Sequence, residues 1–359
     1  MGELFSGPGG MALGAHNAAA ATGVELLHAW ANDYDQSTCE TYIDNIPGAS
    51  KATVTCLNVR DYPIEQQSKV SGFAFGFPCN DYSLVGEWRG LDGKYGPLYS
   101  YGVRVLDHHN PDWFVAENVS GLQSANAGRA FRLILDELSA AGDFGYRLYP
   151  HLYSFEEYGV PQKRRRIIVV GVRNDLDVDF RVPSPALYAG LDVSARTALT
   201  VPPVGGNLPN NERTRQSAQV VERLDHIRPG ENAFNADLPA HLRLNVKGAT
   251  ISQIYRRLHP NEPAYTVTGS GGGGTHVYHW DESRALTNRE RARLQSFPDS
   301  FVFKGTKESV RRQVGMAVPV KGAEAVFTAL FRSFSGQPYP GIDANLAHLV
   351  LSDRSFARA

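Results

Sequence analysis

The chain has 359 residues, of which 42% are apolar and 20% charged, and its formal net charge is −1. This composition allows about two domains with sizeable cores and excludes a largely disordered chain. Three cysteines without a CxxC pair exclude a disulfide framework or a cysteine-rich zinc site, and we expect neither a secretory leader nor a membrane span, because no apolar run approaches about 20 residues.

The two halves of the chain carry opposite charges. Residues 1–160 contain 9 Lys and Arg against 19 Asp and Glu, whereas residues 161–359 contain 27 against 18, and 22 of those 27 cations are Arg. Arginine binds phosphates and guanine edges in a bidentate manner, which lysine cannot do. The asymmetry has two interpretations: a pattern of surface salt bridges, or an acidic catalytic half and a basic half that holds nucleic acid.

Strand-like and helix-like segments alternate through the first half, beginning with a short strand before the glycine turn at Ser6. The further predicted strands are Glu25–Asn32, Ala52–Leu57, Ser71–Phe77, Asp112–Glu117, Tyr146–Phe155 and Arg166–Val172. The helices between them include Gly10–Thr22, Leu98–His109 and Arg129–Ala141. This alternation predicts a parallel α/β sheet with helices on both faces, in which ligands bind at the carboxyl ends of the strands.

Regular periodicity stops near Asn174. From there the chain is rich in Pro, Gly and Asn and includes the glycine run Gly269–Gly274. Periodicity resumes in the predicted helices Thr287–Phe297 and Val320–Phe334. We therefore predict a second, smaller and loop-rich domain over residues 174–282.

A glycine turn follows the first strand in the segment ELFSGPGG, Glu3–Gly10. Glycine lets backbone amides approach a ligand closely at a helix N-terminus. Asp33 follows the second predicted strand, where a carboxylate can accept hydrogen bonds from ribose hydroxyls. Together these features predict a site for an adenosine-containing cofactor without identifying it, so an NAD-type oxidoreductase also explains them.

Two further strands are followed by residues with reactive side chains. Cys79 lies in GFPCNDYS, where its thiol can act as a nucleophile. Most lone cysteines are small buried hydrophobes, as we expect for Cys39 and Cys56. Glu117 and Asn118 lie near the end of WFVAENV, where desolvation beside a ligand would make Glu117 a proton donor. A solvated glutamate at the end of a strand is the alternative interpretation.

Five polar residues, QKRRR, directly precede the apolar run IIVVGV. Strand alternation places Gln162, Arg164 and Arg166 on one face and Lys163 and Arg165 on the other. Three polar side chains that converge at the edge of an active site can hold a carboxylate, a phosphate or a base. A charged edge strand is the alternative interpretation.

The motifs ELFSGPGG, GFPCNDYS, AENV, QKRRR, RALTNRERARLQSFPDSF and RRQVGMAVP occur in the order found in the C5-cytosine DNA methyltransferases. The chain closely resembles that family from Glu3 to about Pro319. The resemblance implies a Rossmann-like S-adenosylmethionine-dependent methyltransferase sheet of the α/β class, with a smaller, loop-rich DNA target-recognition domain. It also implies S-adenosyl-L-methionine as the cofactor. The cofactor-binding residues that it implies are Phe5, Ser6, Gly7, Pro8, Gly9, Gly10, Asp33, Tyr34, Asn58, Val59, Pro78 and Leu98.

The chain departs from the usual pattern of that family at three places. Asn58-Val59 replaces Asp-Ile, so an amide replaces the carboxylate that contacts adenine. Asn80 stands where most bacterial members have Gln, and Met316 replaces the asparagine of GNAVP near the cofactor. None of these changes removes a reacting group.

The resemblance also implies a mechanism. The Cys79 thiolate attacks C6 of a cytosine flipped out of duplex DNA, Glu117 donates at N3, and Arg164 orients Glu117 and the base. The C5 carbon then accepts the methyl group and loses its proton as Cys79 leaves, while the loop Ser83–Gly96 closes over the base. The implied catalytic residues are Cys79, Glu117, Arg164, Gln162 and Asn118. The candidate DNA-binding residues are Ser83, Arg166, Arg213, Arg215, Arg243, Arg256 and Arg257.

Functional assignments for the whole chain follow from the same resemblance. They are a catalytic cofactor-binding domain (1–173), a target-recognition domain (174–282), a hinge region (283–311) and a C-terminal segment that returns to the catalytic domain (312–359). We expect a monomeric, nucleoid-associated enzyme of the bacterial cytoplasm that binds no metal and protects DNA from a cognate restriction endonuclease without forming a stable complex with it. A tRNA cytosine-5 methyltransferase and a catalytically silent DNA-binding relative are the alternatives.

Overall fold

The strands of the first half form one sheet in the computed structural model, which describes residues 1–77, 98–244, 253–269, 271 and 274–351. The strands in that sheet are β1 Gly2–Leu4, β2 Trp30–Asp33, β3 Val54–Cys56, β4 Gly72–Gly76, β5 Trp113–Val119, β6 Tyr146–Ser154 and β8 Arg165–Arg173. Two-residue pairs are formed by β7 Gln162–Lys163 with β10 Ala264–Tyr265, and by β9 Val182–Pro183 with β11 Gly341–Ile342. The fold is therefore of the α/β class that the sequence predicts, with one Rossmann-like central sheet.

The order of the strands in the sheet is β3-β2-β1-β4-β5-β8-β6. Six of these strands run parallel to one another, as the alternation predicts. Strand β8 is the exception, because it runs antiparallel to both of its neighbours, β5 and β6. Parallel neighbours need a crossover of a dozen or more residues. Only residues 155–164 connect β6 to β8, so an antiparallel return is the geometry that this length permits.

The helices are α1 Gly10–Thr22, α2 Gln36–Asn45, α3 Tyr99–His109, α4 Arg129–Ala140, α5 Ala195–Thr200, α6 Ala218–Asp225, α7 Asn288–Leu294, α8 Lys307–Met316, α9 Val320–Phe334 and α10 His348–Leu351. The sequence pattern does not predict α2, which contains Ser, Thr, Cys and Asn, residues of low helix propensity. Two tertiary features support this helix. Asp35 caps it by accepting from the amide of Thr38 at 2.9 Å, and Cys39 and Tyr42 are buried.

By packing, the chain divides into two compact units. Unit 1 consists of Met1–Ser154, Arg165–Leu187 and Ala323–Ala359, and unit 2 consists of Phe155–Arg164 and Tyr188–Gly322. The divisions at residues 174, 283 and 312 in the sequence analysis are assignments of function, and they stay predictions.

The core of unit 1 is apolar and rich in aromatic rings. Leu4, Phe73, Phe75, Phe114 and Ile134 belong to it, and none is more than 1% exposed. The rings of Phe73 and Phe75 stack with their centroids 4.9 Å apart. Because these side chains come from β1, β4, β5 and α4, their burial fixes the strand that leads into the glycine turn and the strand that bears Glu117.

Unit 2 has its own apolar cluster, which includes Leu224, Ile227, Leu242 and Tyr278. Its helices α5 to α8 are short, and among its described residues the paired strands β7 and β10 have two residues each. Most of unit 2 is therefore irregular chain, whose main-chain polar groups need partners other than a helix or a sheet ladder.

Buried arginines supply many of those partners. Arg289, which is fully buried, donates to the carbonyls of Pro209 at 2.9 Å, Pro298 at 3.0 Å and Phe301 at 2.6 Å. One guanidinium thus joins three separate turns of the chain. The buried arginines among the described residues of unit 2 are Arg164, Arg223, Arg257, Arg289, Arg291 and Arg293.

Asn345 covers part of the edge strand β6. Its Oδ1 accepts from the amide of Leu152 at 2.8 Å, and its Nδ2 donates to the carbonyl of Leu152 at 3.2 Å. Its own amide donates to Nδ1 of the buried His151 at 3.1 Å. The amide side chain thereby makes the two hydrogen bonds that a residue of a neighbouring strand would make.

The segment Lys307–Phe334 is long and apolar enough to span a membrane by composition, which the sequence analysis did not expect. Its most apolar window is 78% buried inside the protein. The hydropathy of this segment is therefore explained by core packing.

Candidate active site

The glycine turn after β1 adopts a backbone that favours glycine. Gly7 and Gly9 have φ of 54° and 98°, and Phe5 also has a positive φ of 53°. Among the described residues, no atom lies within 4 Å of the position that a Cβ on Gly7 would occupy, so the described part of the chain leaves that side of the turn open. Helix α1 begins at Gly10 without a side-chain cap, which leaves its first amides available to a polar ligand.

Asp33, at the end of β2, is fixed between two main-chain amides. Its Oδ2 accepts from Gly7 at 2.9 Å and its Oδ1 accepts from Asp35 at 3.1 Å. Burial raises the pKa of Asp33, and the hydrogen bonds from main-chain amides oppose that shift. The carboxylate therefore lies against the glycine turn, where the sequence predicts a ribose.

The residues predicted to contact adenine lie at the same edge of the sheet as Asp33. Tyr34 follows Asp33 and is 71% exposed. Asn58 comes shortly after β3, which pairs in parallel with β2, and its Oδ1 accepts from the amide of Arg60 at 3.1 Å. Val59 is buried beside it. An exposed ring and an exposed amide thus border the polar group of Asp33.

Cys39 and Cys56 lie close to this edge but are poor candidates for nucleophiles. Cys39 is buried, and burial raises the pKa of its thiol. The two sulfur atoms donate to consecutive carbonyls, those of Asp33 at 3.6 Å and Tyr34 at 3.5 Å.

Glu117, near the end of β5, is paired with Arg166. The distance from its Oε1 to Nε of Arg166 is 2.9 Å, and the two side chains are 13% and 14% exposed. Gly76 lies opposite Glu117 in the parallel pair of β4 and β5. A Cβ on Gly76 would lie 3.4 Å from Oε2 of Glu117, so the carboxylate lies over the residue three places before Cys79 in the chain.

Asn118 is buried next to Glu117. Its Nδ2 donates to the carbonyl of Phe77 at 2.9 Å, and its Oδ1 accepts from the amide of Val119 at 2.8 Å. The side chain therefore links β5 to the last described residue before Pro78 and Cys79.

The structure separates the residues of QKRRR that alternation places on one face. Gln162 and Arg164 are buried in unit 2, where Arg164 donates to the carbonyls of Val267 at 3.1 Å and Gly315 at 3.0 Å. Arg166, in β8 of unit 1, is the partner of Glu117. The ion pair with Glu117 is thus made by Arg166, which the sequence analysis placed among the DNA contacts, and the role predicted for Arg164 in orienting Glu117 stays a prediction.

Gln162 is likewise engaged inside unit 2. Its Nε2 donates to the carbonyl of Leu294 at 3.1 Å, and its Oε1 accepts from the amide of Val267 at 2.8 Å. These contacts hold the chain of unit 2 together, and the catalytic role that the resemblance implies for Gln162 stays a prediction.

The arginines predicted to contact DNA differ in exposure. Arg213 and Arg215 are exposed, and Arg213 pairs with Glu282 at 2.9 Å. Arg243 is exposed with its Nε on the carbonyl of Leu238, and Arg256 lies over the ring of Tyr265 at 4.8 Å.

Arg257 is buried within unit 2, so it could contact DNA only after leaving this position. It is 6% exposed and donates to the carbonyls of His279, Leu224 and Ile227. Its guanidinium is used within unit 2, and the DNA contact of Arg257 stays a prediction that would require it to leave these carbonyls.

Several predicted residues lie outside the described residues. These are Pro78, Cys79, Ser83 and the loop Ser83–Gly96. Leu98, the next described residue predicted to line the cofactor pocket, precedes α3 and packs against the core of unit 1.

Asn32 is a residue of this edge that the sequence analysis does not single out. It is 1% exposed, and its Nδ2 donates to the carbonyls of Thr55 and Leu57, both at 3.0 Å. The signal for it is an amide side chain inside an apolar strand, directly before Asp33.

Comparison with known proteins connects this geometry to one family. Residues 1–332 match the family described as C-5 cytosine-specific DNA methylase. The Type II methyltransferase M.BbvI of Brevibacillus brevis is 54% identical over 352 residues, covering 96% of this chain and 93% of its own. The Type II methyltransferase M.NgoFVII of Neisseria gonorrhoeae is 40% identical over 338 residues, covering 93% and 86%.

Solved structures share the fold. A DNA modification methyltransferase encoded within an Escherichia coli prophage superposes with a TM-score of 0.68 at 22% identity, covering 93% of this chain and 99% of its own. The Dnmt2 methyltransferase of Schizosaccharomyces pombe superposes with a TM-score of 0.57 at 17% identity, covering 93% and 98%. At these identities the similarity concerns the fold alone.

Proposed function

The chain belongs to the C-5 cytosine-specific DNA methylase family, and we propose that it methylates C5 of a flipped cytosine in duplex DNA through a covalent bond between Cys79 and C6. The observation that carries this proposal is the pairing of Gly76 with Glu117. Because Cys79 follows Gly76 by three residues in the sequence, this register supports a site in which the nucleophile and the carboxyl group act on the same base.

Each reacting group has a task that its chemistry permits. Attack by the Cys79 thiolate on C6 makes C5 nucleophilic, and Glu117 hydrogen-bonds N3 to favour that attack. Arg166, at 2.9 Å from Glu117, holds the carboxyl group in place. A base in a duplex is inaccessible to these groups, so flipping, which costs a few kcal/mol, precedes the attack.

S-adenosyl-L-methionine fits the edge formed by β1, β2 and β3, and when bound it supplies an electrophilic methyl group for C5. The open side of Gly7 and the uncapped start of α1 accommodate a polar group close to the main chain. The fixed carboxylate of Asp33 can accept from ribose hydroxyls, and the exposed ring of Tyr34 can stack on a purine. Asn58 offers an amide where the resemblance leads us to expect a carboxylate.

Unit 2 carries the residues that we propose for target recognition. Arg213, Arg215, Arg243 and Arg256 are exposed or half-buried and can reach phosphates or base edges, whereas Arg257 would first have to leave the carbonyls that it contacts. A cavity of about 480 Å³ within unit 2 is bordered by Arg196, Arg213 and Trp280, among others. Because Asp281, Glu282 and Glu290 also border this cavity, the proposal for target recognition rests on the exposed arginines and not on the cavity.

The names of the relatives support a place in a Type II restriction-modification system. We propose that the enzyme is monomeric, acts in the cytoplasm in contact with the nucleoid, and protects DNA from a cognate endonuclease that does not bind it stably. The predicted target-recognition domain (174–282), hinge region (283–311) and C-terminal segment (312–359) belong to the same proposal.

Methylation of duplex DNA and of tRNA by the purified protein tests the function, with bisulfite sequencing to find the modified base. We expect C5-methylated cytosine in one duplex sequence and none in tRNA. Cys79→Ser should abolish transfer, because a hydroxyl is a far weaker nucleophile, and 5-fluorocytosine in the site should trap the wild type covalently. Methylation of tRNA alone, or more than a few per cent of activity in Cys79→Ser, would contradict the proposal.

A further inference from the structure

Two buried asparagines occupy similar places at the edge of the sheet that carries the site. Asn32 lies in β2 one residue before its end, and Asn118 lies in β5 one residue before its end. They are 1% and 4% exposed. A buried primary amide is costly unless its two N–H groups and its oxygen find partners. Both side chains donate from Nδ2 to main-chain carbonyls at the end of a neighbouring strand.

Asn118 makes a hydrogen bond that the sheet ladder does not. Strand β4 ends at Gly76, so the carbonyl of Phe77 lies beyond the paired residues. The Nδ2 of Asn118 donates to this carbonyl at 2.9 Å while its Oδ1 accepts from Val119 at 2.8 Å. The next residue, Pro78, has no N–H with which to anchor the chain. The side chain of Asn118 therefore fixes the start of the segment that leads to Cys79.

Asn32 does the same for the other half of the site. Its Nδ2 donates to the carbonyls of Thr55 and Leu57, both at 3.0 Å, which fixes the exit from β3 just before Asn58. Its main-chain carbonyl accepts from the amide of Ser6 at 3.1 Å, which fixes the exit from β1 into the glycine turn. One residue thus joins the three strand ends that border the predicted cofactor.

We propose that Asn32 and Asn118 are positioning residues, Asn32 for the cofactor half of the site and Asn118 for the half that reacts with the base. This inference rests on the proposed function. The hydrogen bonds of both side chains within the described residues go to main-chain atoms, so each acts through the main chain that it holds. Asn118 thereby moves from the catalytic set that the sequence resemblance implies to a supporting role.

Replacing each amide by a carboxylate separates the two roles. Asn118→Asp keeps an oxygen for Val119 but sets a second oxygen against the carbonyl of Phe77, so the segment before Cys79 loses its anchor. We expect about a hundredfold lower rate of methyl transfer and of 5-fluorocytosine adduct formation, because misplacement by about 1 Å costs that much. The Kd for S-adenosyl-L-homocysteine, measured by calorimetry, should stay within about threefold of wild type.

Asn32→Asp should show the reverse pattern. The Kd for S-adenosyl-L-homocysteine should rise at least about tenfold, because the exit from β3 loses both hydrogen bonds from the side chain, while the rate at saturating cofactor stays within about threefold. Asn174→Asp is the matched control, since Nδ2 of Asn174 donates to the carbonyl of Phe144 at 2.9 Å outside the site. It should change neither quantity.

A second variant keeps the test decisive if Asn118→Asp does not fold. Asn118→Ser retains a donor on a shorter side chain, and it should lower the rate about tenfold with an unchanged Kd. Equal changes of rate and Kd in the Asn32 and Asn118 variants would overturn the proposal, because they would indicate a general structural effect. A wild-type protein that neither binds S-adenosyl-L-homocysteine nor methylates DNA would contradict the proposed function itself, and this inference with it.

Discussion

The two units of the molecule satisfy their main-chain polar groups by different means. In unit 1 a ladder of seven strands pairs the amides and carbonyls, and apolar side chains such as Phe73 and Phe114 fill the space beside them. In unit 2 much of the chain is irregular, and guanidinium groups reach the carbonyls that no ladder can pair. Arginine suits this task because it carries five N–H donors in a fixed plane.

This difference changes the meaning of a basic composition. The excess of cations after residue 160 is typical of a surface that binds nucleic acid. Several of these arginines, however, are buried in unit 2 and donate to main-chain carbonyls. Burial, together with the nearby Arg311, lowers the pKa of Arg291 to about 10, which reflects the cost of keeping a cation out of water. The charge that remains for DNA is therefore smaller than the sequence arithmetic indicates.

The largest effect should come from removing a buried arginine of unit 2. Arg289→Met leaves the carbonyls of Pro209, Pro298 and Phe301 without their donor, and we expect a loss of about 3–5 kcal/mol in the free energy of unfolding. Urea denaturation measures it. The matched control Arg196→Met removes an exposed cation and should cost no more than about 0.5 kcal/mol. Equal stability of the two variants would break the comparison between the units.

Acid should destabilise unit 1 through His151. Burial lowers the pKa of His151 to about 4, whereas a histidine in the unfolded chain titrates near 6.5, so between these values the unfolded state binds the proton first. The neutral ring therefore contributes stability above about pH 6.5, and this contribution is lost as pH falls towards 4, by up to about 3 kcal/mol.

Unfolding of His151→Gln at pH 7 and at pH 4.5 checks this expectation. The variant should lose less stability than the wild type between the two pH values, because glutamine does not titrate. His226→Gln, which replaces an exposed histidine, should retain the wild-type dependence. Parallel losses in His151→Gln and the wild type would show that His151 does not set the acid limit of unit 1.

A smaller effect compares the apolar clusters directly. Ile134 in unit 1 and Ile227 in unit 2 are each 1% exposed, so Ile→Val removes one buried methylene from either cluster. We expect each substitution to lower the free energy of unfolding by about 1 kcal/mol. Similar losses in the two variants would show that the apolar clusters are equally well packed. The two units would then differ only in how their main-chain polar groups are paired. A negligible loss at Ile227 would mean that the unit 2 cluster is loosely packed.

The smallest effect on stability should come from the exposed arginines of unit 2. Arg215→Met should change the free energy of unfolding by no more than about 0.5 kcal/mol. If Arg215 contacts a phosphate, the slope of log binding constant against log salt concentration should fall by about 0.9. Fluorescence titration of a labelled duplex at several salt concentrations measures the slope. Arg181→Met, an exposed arginine of unit 1, is the control and should leave it unchanged.

The sequence predicts the elements of unit 1 well because their signals are local. Helices α1 and α9 have the predicted bounds, since glycine turns and apolar periodicity mark them. The sequence does not predict the separation of Arg164 from Arg166. Alternation assumes one continuous strand from Gln162 to Arg166, but Arg164 lies between β7 and β8, which belong to different units. No local pattern reports such a break.

The arginines of unit 2 show a second limit. Arg256 and Arg257 are neighbours of the same residue type, yet one lies over an aromatic ring and the other is buried on three carbonyls. Which of two guanidinium groups turns inward depends on carbonyls far along the chain. Residue type and charge counts therefore cannot separate a DNA contact from an internal one.

The hydrogen bonds between Asn345 and Leu152 also bear on how the protein behaves at high concentration. An uncovered edge strand offers its amides and carbonyls to any other extended chain, and such pairing leads to aggregates. Asn345 occupies one residue's donor and acceptor on β6 at the cost of a single side chain. A chain that ends before this residue would keep the strands that carry the site and yet expose that edge, so its defect would lie in solubility and only secondarily in catalysis.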